Sequence, residues 1–415
     1  MILPKIELLL ARILIFDVLF LGPLGVTLWG RLTERHFILL VSIGISLLYL
    51  IKRNTIRSTT AFVVIGCVLF VVLWGLFLPV IVQRDVSSAL LEIKPFLYLL
   101  FIPSALRLLG GNKAEIIRRD IVRWSLILGL IIIFLWWKAN FSMEVDYALA
   151  VKFIYSLLAG GVTDGMYIGP MPDGSFRVFW ISCAIFPWSI LLLRPSGKLW
   201  LVWAILFVVA AYVTGTRAVF YCAVMAFLYV VYIHLPKFRL LNLGALVFGL
   251  TALFGFGISE TENLRIFDIQ SEFESQSARS LQASSLIGSW QESPIFGKGF
   301  GASADLVRRD AAHFSYELTY VALLMKVGLL GYIVMLMLLS YFVRHFQSLK
   351  FVVGKQLGRA KIGSILFFLL TFTNPYLFTI HGLILLIGLV LTWNSGNGYL
   401  NRNMSKTDLC RPILK

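Results

Sequence analysis

LWLVWAILFVVAAYVTGTRAVFYCAVMAFLYVVYIH, residues 199–234, carries one full charge, Arg217, between two runs of apolar and aromatic side chains. Each run approaches the length a helix needs to cross a hydrocarbon layer about 30 Å thick. Inside such a layer a backbone must satisfy its own hydrogen bonds, and an uninterrupted helix does so. TGTR, residues 214–217, has the Gly and the hydroxyl residues of a tight turn. The segment therefore reads as two membrane helices, 198–213 and 218–234, joined at Arg217.

Working outward, the rest of the chain agrees. Of its 415 residues 59% are hydrophobic and 14% charged, and the mean hydropathy is +0.86. Soluble globular domains carry about a quarter charged residues, and disorder or coiled coil needs more charge than this chain has. A transmembrane β-barrel alternates over about ten residues, which the continuous apolar runs here do not. The expectation is an all-α polytopic membrane protein with about twelve transmembrane helices. They fall near 8–29, 36–51, 60–82, 90–109, 122–138, 178–194, 198–213, 218–234, 239–257, 317–343, 360–374 and 376–393. The start, MILPKIELLLARILIF, reads as an uncleaved first helix, since no small-residue cleavage site follows it. The whole chain, 1–415, is one integral membrane domain with two polar interruptions. One is 139–177, with a short interfacial helix expected around 146–158; the other, 258–316, is a large loop between the ninth and tenth helices.

Charge sets the orientation. In a membrane chain a net charge of +16 reflects topology and anionic headgroups before it suggests nucleic acid. With both termini cytoplasmic, the inner loops hold Lys52, Arg53, Arg57, Arg107, Lys113, Arg118, Arg119, Arg123, Arg194, Lys198, Lys237 and Arg239. They also hold Arg344, Lys350, Lys355, Arg359 and Lys361, and the tail adds Arg402, Lys406, Arg411 and Lys415. The same rule puts 139–177, the turn at Arg217 and 258–316 on the opposite side. Four cysteines, Cys67, Cys183, Cys222 and Cys410, form neither a disulfide framework nor a metal-ligand spacing.

Arginines on the outer side run against that bias. Arg177 opens the sixth span in DGSFRVFW, Arg217 sits in the turn, and Arg279 lies in SARSLQASSLIGSWQESP, an amphipathic helical stretch. Any one alone reads as a snorkelling interfacial side chain. Three facing one compartment point to an anion, because a guanidinium binds phosphate oxygens bidentately and stays charged. His313 and Glu317 stand four apart in HFSYELTY, a spacing that shares a helix face, and either serves as a general base for a hydroxyl nucleophile. PIFGKGFGAS, residues 294–303, lacks the Gly-Lys-Ser/Thr of a nucleotide loop. The outer loops show no His-rich or paired-Asp cluster, so neither metal nor cofactor is expected.

These residues resemble the O-antigen ligase and polymerase family of bacterial inner-membrane glycosyltransferases. The family's Arg, spacer, Pro and Gly-x-Gly look like Arg279, Pro294, Gly297 and Gly299. Its Ser-x-Arg turn looks like Thr214-Gly-Thr216-Arg217, and its earlier arginine followed by a proline looks like Arg177 and Pro187. The resemblance covers about residues 160–390. Gly328 and Gly331 match its Gly-x-x-Gly, but Glu317 occupies the position eleven before Gly328 where the family carries a His, and His313 lies one helical turn earlier.

The resemblance implies a C-type glycosyltransferase-like fold in the inner membrane with a periplasmic active site, a metal-independent inverting transfer and no cofactor. Its partners would be an undecaprenyl-diphosphate-linked glycan donor, a lipid A–core or growing glycan acceptor, membrane lipids and a chain-length regulator. Arg177, Arg217 and Arg279 would bind the diphosphate. Arg217 and Arg279, with His313 or Glu317, would be catalytic, and polymerase is slightly favoured over ligase. The rival expectation is a transporter or flippase of lipid-linked or anionic sugars, which would place functional charges at mid-span, where Lys326 and Asp17 stand.

Overall fold

A computed structural model describes residues 3–20, 27–29, 32–33, 37–38, 40–42, 44–45, 58–82, 86–93, 113–141, 146–158, 166–170, 176–194, 199–234, 269–305, 316, 318–348, 355–373 and 380–394. The chain is mostly helical. In order come α1 (Leu3–Phe20), a short hairpin β1 (Thr27–Trp29) and β2 (Leu32–Thr33), α2 (Ser58–Val72), α3 (Leu78–Ile81) and α4 (Val86–Ile93). Then follow α5 (Lys113–Phe141), α6 (Asp146–Leu158), β3 (Met166–Pro170), β4 (Phe176–Trp180), α7 (Phe186–Leu192), α8 (Leu199–Val213) and α9 (Arg217–His234). The last elements are α10 (Ile269–Gln291), α11 (Thr319–Ser348), α12 (Lys355–Thr373) and α13 (Ile380–Asn394).

Three described helical segments are long and apolar enough to cross a membrane: Lys113–Phe141, Arg217–His234 and Thr319–Leu338. Four shorter apolar helical stretches accompany them: Ile65–Ile81, Ile181–Leu192, Leu199–Val213 and Lys361–Thr371. The expected span at 239–257 lies outside the described residues.

The core is built around α7. Phe186, Trp188, Ile190 and Leu191 are completely buried, and so is Ser189, whose hydroxyl donates to Ile185 O at 3.2 Å; a helix without a polar face packs in this way. It is enclosed by α5, α8, α9, α12 and α13. Small residues bring the walls close: a Cβ on Gly388 would stand 2.9 Å from the Trp188 ring. The outer faces of α5, α8 and α11 expose Ile127, Leu130, Val202, Ile205, Leu329 and Ile333, as helices facing lipid do.

The sixth span departs from its expected form. Arg177 does not head a helix; it lies on β4, which pairs antiparallel with β3 in the register Gly169↔Arg177 and Ile168↔Val178. FRVFW alternates, with Phe176, Val178 and Trp180 buried and Arg177 and Phe179 turned the other way, a period of two. A 3-10 turn, Ile181–Ile185, then leads into α7, where Pro187 sits in the first turn and needs no hydrogen-bond acceptor for a missing N–H. The fifth helix also runs on to Phe141, past the expected boundary at 138. There the Asn140 side chain acts as a strand partner, donating to Phe176 O at 2.8 Å and accepting from Phe176 N at 2.8 Å.

α11 is discontinuous. Gly328 adopts φ 63°, ψ −174°, inside what would otherwise be one long helix. The break leaves Met325 O, Lys326 O, Leu329 N and Leu330 N without their usual i→i−4 partners, and the loop 294–299 supplies all four. Lys298 N donates to Met325 O (2.9 Å) and Gly299 N to Lys326 O (2.8 Å), while Leu329 N donates to Pro294 O (2.9 Å) and Leu330 N to Ile295 O (3.0 Å). Only glycines permit this approach, because a Cβ on Gly328 would collide with Ile295 O, and one on Gly297 with Lys326 O.

Gly328→Ala is expected to destabilise the protein by more than the ~1–3 kcal/mol of a strained backbone site, because the loop must also retreat. Thermal unfolding in detergent checks this. An unchanged midpoint would mean that the break is not held by the loop.

Candidate functional site

Two groups of polar residues stand out. The first is the corner between α8 and α9. Gly215, at φ 65°, closes the turn, with Thr214 N reaching Ala210 O at 3.3 Å and Gly215 N reaching Tyr212 O at 2.9 Å. Thr216 O accepts from Phe220 N at 3.0 Å, which makes Thr216 the N-cap residue and Arg217 the first residue of α9. Arg177, arriving from β4, donates from Nε to Thr214 O at 2.9 Å and lies over the Phe179 ring at 5.2 Å. A Cβ on Gly215 would stand 3.0 Å from Arg177 Nε, so the absent side chain is what admits the guanidinium.

The Thr216 hydroxyl is shielded from solvent and has no hydrogen-bond partner among the described residues. An N-cap hydroxyl ordinarily accepts from the N–H two or three residues on. The opening N–H groups of α9 therefore lie uncapped by this hydroxyl beside the Arg177 guanidinium, an arrangement that favours an anion.

The second group surrounds the break in α11. Lys326 and Glu92 form an ion pair, with side chains only 1% and 6% exposed. Glu92 Oε2 also accepts from Gly301 N at 2.7 Å, and the Lys326 ammonium lies 5.5 Å from the centre of the Tyr316 ring. The loop is held from a third side by Trp74, which sits in a π-turn, Leu73–Phe77, between α2 and α3. Its indole N–H donates to Phe296 O at 2.9 Å, and its carbonyl accepts from Phe300 N at 3.1 Å.

Arg279 belongs to this second neighbourhood. It lies on α10, which packs on α11, and Leu286 of α10 is buried with Ala302, Ala304, Tyr316, Ala322 and Met325. One turn beyond Arg279, Gln282 Oε1 accepts from Leu318 N at 3.4 Å, and Tyr316 OH accepts from Ala304 N at 2.6 Å. Burial pushes the Tyr316 phenol above its ordinary pKa.

His313 and Glu317 lie outside the described residues, but Tyr316 and Leu318, which flank Glu317, are both held beside α10. The structure thus brings Arg177 to the turn before Arg217, and brings the helix of Arg279 to the residues on either side of Glu317. No described contact joins the two groups. A link of the intervening helices does exist: Tyr320 OH on α11 is 2.7 Å from Thr371 Oγ1 on α12, and α12 packs on α9.

Glu92 and the break at Gly328 are absent from the sequence-derived set. Lys326 was visible as a mid-span charge, and Gly328-x-x-Gly331 marked the place where the helix gives way. Among the described residues no group of three His, Cys, Asp or Glu side chains is placed to hold a metal.

Compared with known proteins, the chain matches no family model, no curated protein and no solved structure.

Lys326→Met is expected to destabilise the protein by about 3–5 kcal/mol, because it strands a buried carboxylate. Combining it with Glu92→Gln, which keeps an acceptor for Gly301 N, should recover most of the loss. Unfolding midpoints of the single and double variants test the pairing, and an additive double variant would argue against it.

Proposed function

We propose that this chain is a membrane glycosyltransferase that transfers or polymerises glycan units from a polyprenyl-diphosphate donor. The observation that carries the reading is the corner where Arg177 is held against the turn Thr214–Arg217, with the N-terminus of α9 opening beside it. Its electrostatics suit a diphosphate. The likeness of this turn, of Arg279 and of the Gly297-Lys-Gly299 loop to the O-antigen ligase and polymerase family supports the same substrate class. The full arrangement in this reading has about twelve spans, both termini in the cytoplasm and the corner facing the periplasm.

The chemistry is a single displacement. An acceptor hydroxyl oxygen attacks the anomeric carbon, the bond from that carbon to the diphosphate oxygen breaks, and the bonding pair leaves with the lipid diphosphate. Glu317 or His313 takes the hydroxyl proton, and the anomeric configuration inverts. Negative charge grows on the leaving group, and Arg217 and Arg279, with Arg177 behind them, stabilise it in place of a metal. Removal of one such preorganised donor costs about 10²–10³ in rate.

A second reading, transport of lipid-linked or anionic sugars, is favoured by one observation. Transporters place discontinuous helices and buried charges at the substrate site, and α11 with Lys326 and Glu92 has both features.

The test uses full-length protein in detergent with a lipid-diphosphate-linked repeat unit. Longer lipid-linked chains should appear with or without EDTA. Arg217→Ala and Arg279→Ala should lower their formation at least about a hundredfold at unchanged protein level. Full activity in both variants would overturn the mechanism. Movement of the donor across vesicle bilayers without any chain growth would select the transport reading.

A further inference from the structure

A second arginine cluster lies at the other end of the helices, and nothing in the glycosyl-transfer reading uses it. Arg217 and His234 are the two ends of α9, separated by about 25 Å at 1.5 Å per residue. At the His234 end four further elements meet: the start of α5, the segment after α7, the start of α8 and the first turns of α12.

Arg118 of α5 is buried. Its Nη1 donates to Leu192 O at 2.5 Å, and its Nε and Nη2 donate to Glu115 at 2.9 and 2.7 Å. Arg194 reaches the same carboxylate at 2.6 Å, and exposed Arg119 approaches it at 3.6 Å. Three guanidiniums thus share Glu115.

Arg359, half-buried, contacts His234 Nε2 at 2.5 Å; the Tyr229 phenol acts on it favourably, and the positive charges of Arg118 and Arg194 act against it. Among the described residues it meets no carboxylate. A guanidinium held out of water without a counter-charge is costly.

The sequence of the adjoining segments does not supply that counter-charge. Residues 94–112, 195–198 and 349–354 connect directly to these elements and contain no Asp or Glu, and in the segment 235–268 after α9 the first acid is Glu260. They add Lys94, Arg107, Lys198, Lys237, Arg239 and Lys350 instead. The tail after α13 has one acid, Asp408, against Arg402, Lys406, Arg411 and Lys415.

We propose that Arg118, Arg194 and Arg359, with His234, form a binding site for a phosphate group, that of an anionic phospholipid headgroup. Guanidinium forks match phosphate oxygens, and basic recesses between membrane helices receive lipid headgroups. The surroundings favour a lipid over a free ion. The buried Trp200 ring lies 6.0 Å from that of His234 and backs the recess with apolar surface. Leu199 and Val202 on the same end of α8 are exposed, at 62% and 52%, and offer apolar surface where acyl chains would run. The site stands apart from the Arg217 corner, so it survives if the glycosyl-transfer reading fails.

The test takes delipidated full-length protein in a neutral detergent and follows its unfolding midpoint with added short-chain phosphatidylglycerol, phosphatidylcholine, inorganic phosphate or pyrophosphate. Phosphatidylglycerol should stabilise the wild type and phosphatidylcholine should not. Arg359→Gln should weaken the apparent affinity about tenfold, the loss of one charge-assisted hydrogen bond. Arg359→Lys, which keeps the charge and loses the fork, should fall between, and Arg119→Gln should match the wild type. Should Arg359→Gln fail to fold, Arg359→Lys and Arg194→Gln carry the comparison, with bound phospholipid counted by native mass spectrometry. Stabilisation by phosphate or pyrophosphate alone, lost in the same variants, supports the phosphate site and assigns it a soluble ligand. Equal phosphatidylglycerol binding by wild type and the arginine variants, or no response to any of the phosphates, overturns the proposal.

Discussion

Backbone polar groups at membrane depth need partners from the protein itself, and the break in α11 shows how far the fold goes to meet that need. Two intrahelical hydrogen bonds are given up at Gly328 and four bonds to residues 294–299 take their place. The same loop then reaches Trp74 in the π-turn and Glu92 on α4. A single irregular segment therefore joins α10, α11 and the α2–α4 region. Its glycines are a structural requirement of that junction, which accounts for PIFGKGFG without any bound phosphate. Lys326 closes the assembly from the α11 side by neutralising the carboxylate that caps Gly301 N.

The uncharged, fully buried α7 divides the charged groups. Around it α5, α8, α9, α12 and α13 enclose only small hydroxyl side chains such as Ser125, Ser189, Thr371 and Thr392 among the apolar ones, and the guanidiniums described in this part of the protein collect at the two ends. One end has Arg177 and Arg217, and the other Arg118, Arg194 and Arg359. The two ends differ in what answers the charge. At the first, a main-chain oxygen holds Arg177, and Arg217 opens a helix. At the second, one carboxylate is shared among several of them.

How legible this was depended on whether a feature was local. α8 and α9 match the spans read from 198–213 and 218–234 almost to the residue, because the turn chemistry of TGTR lies between unbroken apolar runs. The hairpin of β3 and β4 was hidden. FRVFW alternates, but it flows into ISCAIFPWSILLL, and an apolar count over a window merges the two. The charge of Arg177 marks it as a site residue, but the apolar run after it points to a helix where the structure has a strand. The ion pair of Glu92 with Lys326 was out of reach for another reason: its members are 234 positions apart, and only the packing of α4 on the loop brings them together. His313 and Glu317, the bases of the proposed transfer, lie outside the described residues, so the geometry covers only the arginines.

The strand that carries Arg177 fixes the direction of its side chain. In a helix one face is shared by residues three and four apart, and a terminal arginine there swings on a long, lightly held side chain. On β4 its neighbours Phe176, Val178 and Trp180 are all buried, so the pleat fixes the direction in which Arg177 leaves the backbone. Asn140 clamps the start of the strand to the end of α5, and Lys152 of α6 donates to Ile168 O at 3.3 Å on the partner strand. The bond to Thr214 O then locks Nε. Stabilising a developing charge is effective when the donors are in place beforehand, because no reorganisation is then required at the moment of reaction. A small β-structure braced on a membrane helix gives this arginine that rigidity, which a bare helix end would not.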